Sequence, residues 1–172
     1  RTTIREFVTV NRGTKALGET KIGSDCLLMA YVHVAHDCIL GNNVIMANMA
    51  TLGGHVEIGE WASLGGGVLV HQFCRIGAHA FIGGGFRVVQ DVPPFILAAG
   101  EPLCFGGTNR IGLKRRGFSM EDRQIIKNTY QIFFNSKLNR NEALQKIESE
   151  INPSNYKDQI FDFISSSERG II

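Results

Sequence analysis

The chain has 172 residues, 44% of them hydrophobic, and a formal net charge of only +2. That length leaves room for one or two domains, the near-neutral balance argues against a broad polybasic nucleic-acid surface, and no apolar run is long enough to cross a membrane. No secretory leader is visible, and the four cysteines match no zinc spacing.

Arg1 opens the chain in mid-repeat and without an initiator methionine, which reads as the C-terminal part of a longer protein. Two weak six-residue units start at Ile4 and Val10, and Ala16 to Lys21 keeps the phase only loosely, as a loop-out would. From Ile22 to Pro93 twelve six-residue units then follow without a break. Their first residues are aliphatic or Met (Leu28, Val34, Leu40, Met46, Leu52), and their fifth are small or apolar (Cys26, Val32, Cys38, Val44). Phe86 is the one bulky residue at the fifth position. A period of six fits neither a helix nor a plain strand. It fits a parallel β-helix whose short strands join at corners, with the first and fifth residues inside. Glycine at the second position suggests corners with unusual backbone angles. Three units per coil make a triangular prism of about five coils stacked at strand spacing.

The repeat is expected to stop at Asp91-Val92-Pro93-Pro94, where two prolines remove ladder donors. A glycine-rich loop, 98–117, would follow and carry Cys104. Three helices come next. Ser119 with Asp122 reads as an N-cap and acidic first turn, and Ile125, Ile126, Thr129, Ile132 and Phe133 form one apolar face. A second helix is expected over 141–151 and a third over 155–166, together capping the open end of the prism. The chain therefore divides into a β-helix, residues 1–97, and a loop with a three-helix domain, residues 98–172.

Stacking the coils places residues eighteen apart above one another. The exposed positions on the face of Val34, Leu52, Val70 and Val88 then read His36-Asp37, Gly54-His55, His71-Gln72 and Gln90-Asp91, with His33 at the corner leading in. Four of the five histidines fall on or beside this column; His79 lies elsewhere. One exposed histidine is ordinary, but four together suit proton transfer near neutral pH. Asp37 could orient His36, provided the corner brings them into contact. Cys38 would be an inert inward thiol, not a nucleophile. Three inward cysteines, Cys26, Cys38 and Cys74, suit a reducing cytoplasm. His33, His36 and His55 are the candidates for a three-histidine zinc site. Farther on, Arg110 to Arg116 holds four cations in seven residues. It is either a solvated charge run or a site for phosphate or an acidic protein.

The segments Val10-Asn11-Arg12-Gly13-Thr14, Val34-Ala35-His36-Asp37-Cys38, Gly53-Gly54-His55-Val56, Val70-His71-Gln72-Phe73, Gln90-Asp91-Val92-Pro93-Pro94 and Gly112-Leu113-Lys114-Arg115-Arg116-Gly117-Phe118 occur in that order. With a helical tail, the set resembles the UDP-N-acetylglucosamine O-acyltransferase family over essentially the whole chain. The resemblance implies a left-handed β-helix, a cytoplasmic homotrimer with clefts between subunits, no cofactor and no metal. It implies transfer of a 3-hydroxyacyl group from acyl carrier protein to the 3-hydroxyl of UDP-N-acetylglucosamine, the first step of lipid A synthesis. His36 would be the general base, Asp37 its support, and the Gly54 N–H the oxyanion donor. His33, His55, His71 and Gln72 would line the sugar-nucleotide and acyl groove. Asn109, Arg115 and Arg116 would meet the nucleotide phosphates or the donor's phosphopantetheine arm and carrier protein. Gly84 would leave the groove open for a long acyl chain. Asn11, Pro102 and Ile111 depart from residues found in some relatives. Other readings are a related N-acyltransferase, a zinc enzyme of the carbonic anhydrase type, and a non-catalytic scaffold.

Overall fold

The computed structural model describes residues 1–172. Fourteen two-residue strands run along the repeat. The first five are β1 (Thr3–Ile4), β2 (Thr9–Val10), β3 (Lys21–Ile22), β4 (Leu27–Leu28) and β5 (His33–Val34). Next come β6 (Ile39–Leu40), β7 (Ile45–Met46), β8 (Thr51–Leu52), β9 (Glu57–Ile58) and β10 (Ser63–Leu64). The run closes with β11 (Leu69–Val70), β12 (Arg75–Ile76), β13 (Phe81–Ile82) and β14 (Arg87–Val88). Every third strand pairs in parallel, giving three faces: β1-β4-β7-β10-β13, β2-β5-β8-β11-β14 and β3-β6-β9-β12. The triangular prism read from the period is the observed architecture. First and fifth residues fill its interior: Leu28, Val34, Met46, Leu52, Val56, Val68 and Ile82 are all fully buried. So are Cys38 and Cys74, with Cys26 close behind.

The corners differ from expectation. Left-handed backbone angles fall on the fourth position, mostly on residues other than glycine: Asp37 (φ 60), His55 (φ 60), Phe73 (φ 63), Trp61 (φ 60) and His79 (φ 59). Such angles are costly for L-residues, and a repeated bond offsets the cost. The fourth residue's N–H donates to the third residue's carbonyl one coil earlier, as His55 to His36 (3.1 Å) and Phe73 to Gly54 (3.0 Å). Glycine at the second position answers to crowding instead. A Cβ on Gly41 would lie 2.7 Å from the Glu60 nitrogen, and one on Gly53 2.7 Å from that of Gln72.

Register is eighteen residues almost everywhere, as in His33↔Thr51. Early in the chain it slips: Thr3 pairs with Leu27 and Thr9 with His33. Six extra residues therefore loop out between β2 and β3, as the loose phase suggested.

The prolines do not end the array. Val92 still bridges Ile76, and the chain adds β15 (Ile96–Ala99) parallel to β13. An antiparallel strand, β16 (Cys104–Thr108), then covers that edge, which is how an open sheet edge is closed. The segment expected as a loop thus holds two strands, one carrying Cys104, and a short helix, α1 (Arg110–Arg115). There are four helices rather than three, the others being α2 (Met120–Asn135), α3 (Arg140–Glu150) and α4 (Asn155–Ser165). Ser119 and Asp122 form a reciprocal capping box at the start of α2. Ile126, Tyr130, Leu144, Ile160 and Ile164 join the buried cluster of the prism. No helix is long and apolar enough to cross a membrane.

One buried bond fastens helices to prism. The Tyr130 hydroxyl donates to the Pro94 carbonyl at 2.5 Å, and burial pushes its pKa up. Tyr130→Phe leaves that carbonyl unpaired, so we expect a loss of about 1–2 kcal/mol, read from urea denaturation with the fold retained. A change within error would show that the bond contributes nothing net.

Candidate active site

The residues at one prism edge, between the faces of β5 and β6, are Asp37, His55, Phe73 and Asp91, one per coil. Asp37 is 1% exposed. Its Oδ2 accepts from His36 Nδ1 at 2.8 Å and from the Thr14 hydroxyl at 2.6 Å. Its Oδ1 accepts from the backbone N–H of Thr14 (2.9 Å) and Leu17 (3.3 Å). Burial alone would raise the carboxyl pKa; the bonds from Thr14, His36 and Leu17 override it and hold Asp37 well below the usual carboxylate range. Thr14 and Leu17 belong to the connection between β2 and β3, which carries the six extra residues. The extra chain therefore folds over the edge and supplies donors to one carboxylate. The broken phase marks the insertion, but nothing local in the sequence says where it docks.

An ionised carboxylate only accepts, so His36 donates from Nδ1, and in the neutral imidazole Nε2 keeps its lone pair. The side chain is 43% exposed, which leaves that nitrogen open to a reactant. Gly54 sits beside it: a Cβ there would lie 2.6 Å from His36 Cε1 and 2.8 Å from Nε2. A side chain at position 54 would therefore have to push the imidazole from its place against Asp37. The Gly54 N–H makes none of the backbone bonds found in turns and loops, which leaves a donor unpaired in a buried residue beside the imidazole. His55 meets His36 edge-on at 5.3 Å and stacks on Phe73 at 4.7 Å, with its Nε2 3.7 Å from Asp37 Oδ2.

The other expected residues are placed as follows. His33 Nδ1 lies 2.7 Å from the Thr9 hydroxyl. Gln72 shares the row of His36 and Gly54, whereas His71 lies one row over, with Ala35, Gly53 and Val89. The atoms that could share an ion are on His36, Asp37 and His55, within 4.8 Å of one another; His33, the third expected zinc ligand, is not in that group. Cys38 is buried, its Sγ donates to the Gly53 carbonyl at 3.2 Å, and burial pushes the thiol pKa up. This agrees with an inert inward thiol.

Asn109, Arg115 and Arg116 lie at a different edge, with Trp61 and His79. Asn109 is the N-cap of α1, and its side-chain amide also donates to the His79 carbonyl at 2.9 Å; both contacts are structural. Arg116 lies over the Trp61 ring at 5.2 Å and reaches His79 Nδ1 at 3.4 Å. Arg115 is exposed. Gly84 is exposed on the β13 face side, and a Cβ there would lie 3.0 Å from the Gly66 carbonyl. A cavity of about 590 Å³ is separate from all of these: it lies between β16 and α2, lined by Arg110, Arg123 and Lys127 among others.

A prism of hexapeptide repeats is a fold that many activities share, and here it carries a histidine held by a buried carboxylate. Residues 19–54 match the bacterial transferase hexapeptide family model, and residues 91–172 match the second domain of UDP-N-acetylglucosamine O-acyltransferase. The acyl-[acyl-carrier-protein]–UDP-N-acetylglucosamine O-acyltransferase of Herminiimonas arsenicoxydans is 51% identical over this whole chain, which covers 68% of it. That of Myxococcus xanthus is 44% identical over 98% of this chain and 66% of its own length. A solved UDP-N-acetylglucosamine acyltransferase from Bacteroides fragilis superposes with a TM-score of 0.98 and 48% identity, over 99% of this chain and 67% of that one. The chain belongs to the acyl-[acyl-carrier-protein]–UDP-N-acetylglucosamine O-acyltransferase family, and its fold is the left-handed β-helix followed by helices.

His79 generates a test of this second edge. Burial, and after it Arg116, lowers its pKa to about 4, against about 6.5 in an unfolded chain. Between those values the unfolded chain holds a proton that the folded one does not, so stability falls as pH drops through that window. His79→Phe keeps the stacked ring and should flatten the fall, measured by denaturation at about pH 7 and about pH 5. An unchanged slope would contradict the buried neutral imidazole.

Proposed function

We propose that this chain transfers a 3-hydroxyacyl group from acyl carrier protein to the 3-hydroxyl of UDP-N-acetylglucosamine, the first step of lipid A synthesis. The observation that carries the reading is the open Nε2 of His36, held by buried Asp37 beside the free Gly54 N–H, in a chain of this family. The sugar hydroxyl attacks the thioester carbonyl while His36 Nε2 takes its proton. Negative charge gathers on the carbonyl oxygen, where the Gly54 N–H meets it. Collapse expels the carrier's thiolate, which recovers the proton from the imidazolium. Asp37 keeps the ring in the tautomer that this exchange needs. No acyl-enzyme is required, in keeping with the inward cysteines.

His33, His55, His71 and Gln72 would line the groove along the histidine edge. Arg115 and Arg116 would serve the phosphates of the nucleotide or of the donor arm, with Asn109 shaping the turn that presents them. These belong to a separate edge of the same prism, so a homotrimer with clefts between subunits is the arrangement that joins the two. Exposed apolar residues such as Phe73 and Val89 are suited to such contact. Gly84 would leave space for a long acyl chain, and the cytoplasm is the compartment that fits.

The test is an acyl-transfer assay with UDP-N-acetylglucosamine and 3-hydroxyacyl carrier proteins of short and long chain. His36→Ala should lose about 10²–10⁴-fold in kcat with folding intact, and the long donor should be preferred. Normal turnover by the variant would sink the base assignment; preference for the short donor would sink the role of Gly84.

A further inference from the structure

The C-terminal segment folds back onto the last coil and delivers a cation to the histidine edge. Asp91 stands in the row of Asp37, three coils on, and is 1% exposed. It accepts from the Ser167 hydroxyl at 2.8 Å, its N–H donates to the Gly170 carbonyl at 2.9 Å, and its carbonyl accepts from the Ile172 N–H at 3.2 Å. Three bonds to one residue hold the strap in place. From it Arg169 extends across the coil. Its Nη2 donates to the Val89 carbonyl at 3.3 Å and lies 3.2 Å from His71 Nδ1. Its Nε is buried without a partner.

His71 Nδ1 is also 3.2 Å from the Gln72 carbonyl. These contacts are mutually exclusive as hydrogen bonds. A carbonyl only accepts, so that bond needs a proton on Nδ1. A guanidinium only donates, so the other needs a lone pair there. Arg169 cannot readily withdraw, because the strap and Val89 fix it, and an N–H facing the guanidinium would meet its positive charge directly. We propose that Arg169 is a positioning residue that sets His71 in the Nε2–H tautomer, so that His71 acts as a hydrogen-bond donor to an oxygen of the substrate. The two histidines then have opposite polarity. His36 carries its proton on Nδ1 and presents an acceptor; His71 presents a donor and cannot substitute as the base.

The test uses protein labelled with ¹⁵N in its histidines, with His71 assigned through His71→Gln, at a pH of about 8.5, where an ordinary imidazole is neutral. The wild-type protein should show His71 with Nε2 protonated and Nδ1 bare. Arg169→Met should shift His71 toward the Nδ1–H form bonded to Gln72, and Arg169→Lys, which keeps a donor, should preserve the wild-type pattern. In the transfer assay Arg169→Met should lower kcat/KM about tenfold, with Lys restoring most of it. A wild-type His71 protonated on Nδ1 would overturn the proposal even if neither Arg169 variant folds, as would identical His71 nitrogen shifts in wild type and Arg169→Met. The kinetic part rests on the functional reading above; the tautomer readout does not need acyl transfer, so the two failures are told apart.

Discussion

The site depends on keeping one carboxylate charged while it is buried. A desolvated, unpaired carboxylate is expensive, and Asp37 is tolerated because both oxygens are bonded. Three of its four bonds come from Thr14 and Leu17, in the one stretch that breaks the repeat. The fourth is His36. The insertion satisfies the carboxylate, the carboxylate fixes the imidazole, and the fixed imidazole faces Nε2 outward. Losing the insertion would leave Asp37 to take up a proton or rearrange, and His36 would lose its preferred tautomer.

Stacking supplies the rest of the geometry. Because coils repeat at eighteen residues, the position above His36 is Gly54, and the ring occupies the volume that a Cβ would need. The absent side chain and the free N–H thus arise from the same rung. The same rule sorts the polar residues onto separate edges: the histidines and Asp37 on one, Trp61, His79 and Arg116 on another. A rigid prism holds such rows in register without help from loops. Asp91 repeats the arrangement at the end of the array, where its partners are Arg75 and the C-terminal strap rather than an insertion.

Much of this was legible beforehand because a six-residue period is a strong signal. Burial of Cys38, the face of Val34 and Leu52, and the Ser119 cap all follow from local pattern. Three things did not. Positive φ sits on Asp37 and His55 because a coil-to-coil bond fixes the corner, and no residue preference reports it. The stretch 98–117 reads as loop by its glycines, yet β15 finds a waiting edge on β13, a tertiary effect that overrides propensity. Thr14 and Arg169 reach the site from far along the chain, and the pairing that places them is visible only once the coils are stacked. The eighteen-residue spacing by itself already places His71 one row off, above Gly53 and Ala35.

The central claim is that Asp37 acts through His36, as a charged partner and not as a structural filler. Asp37→Asn is nearly isosteric and can still accept at one oxygen, but it lacks the charge that stabilises the imidazolium formed during transfer. With circular dichroism unchanged, the account predicts that kcat for acyl transfer falls by about a hundredfold or more, with KM for the sugar nucleotide little changed. A folded Asp37→Asn protein turning over within about twofold of wild type would contradict it.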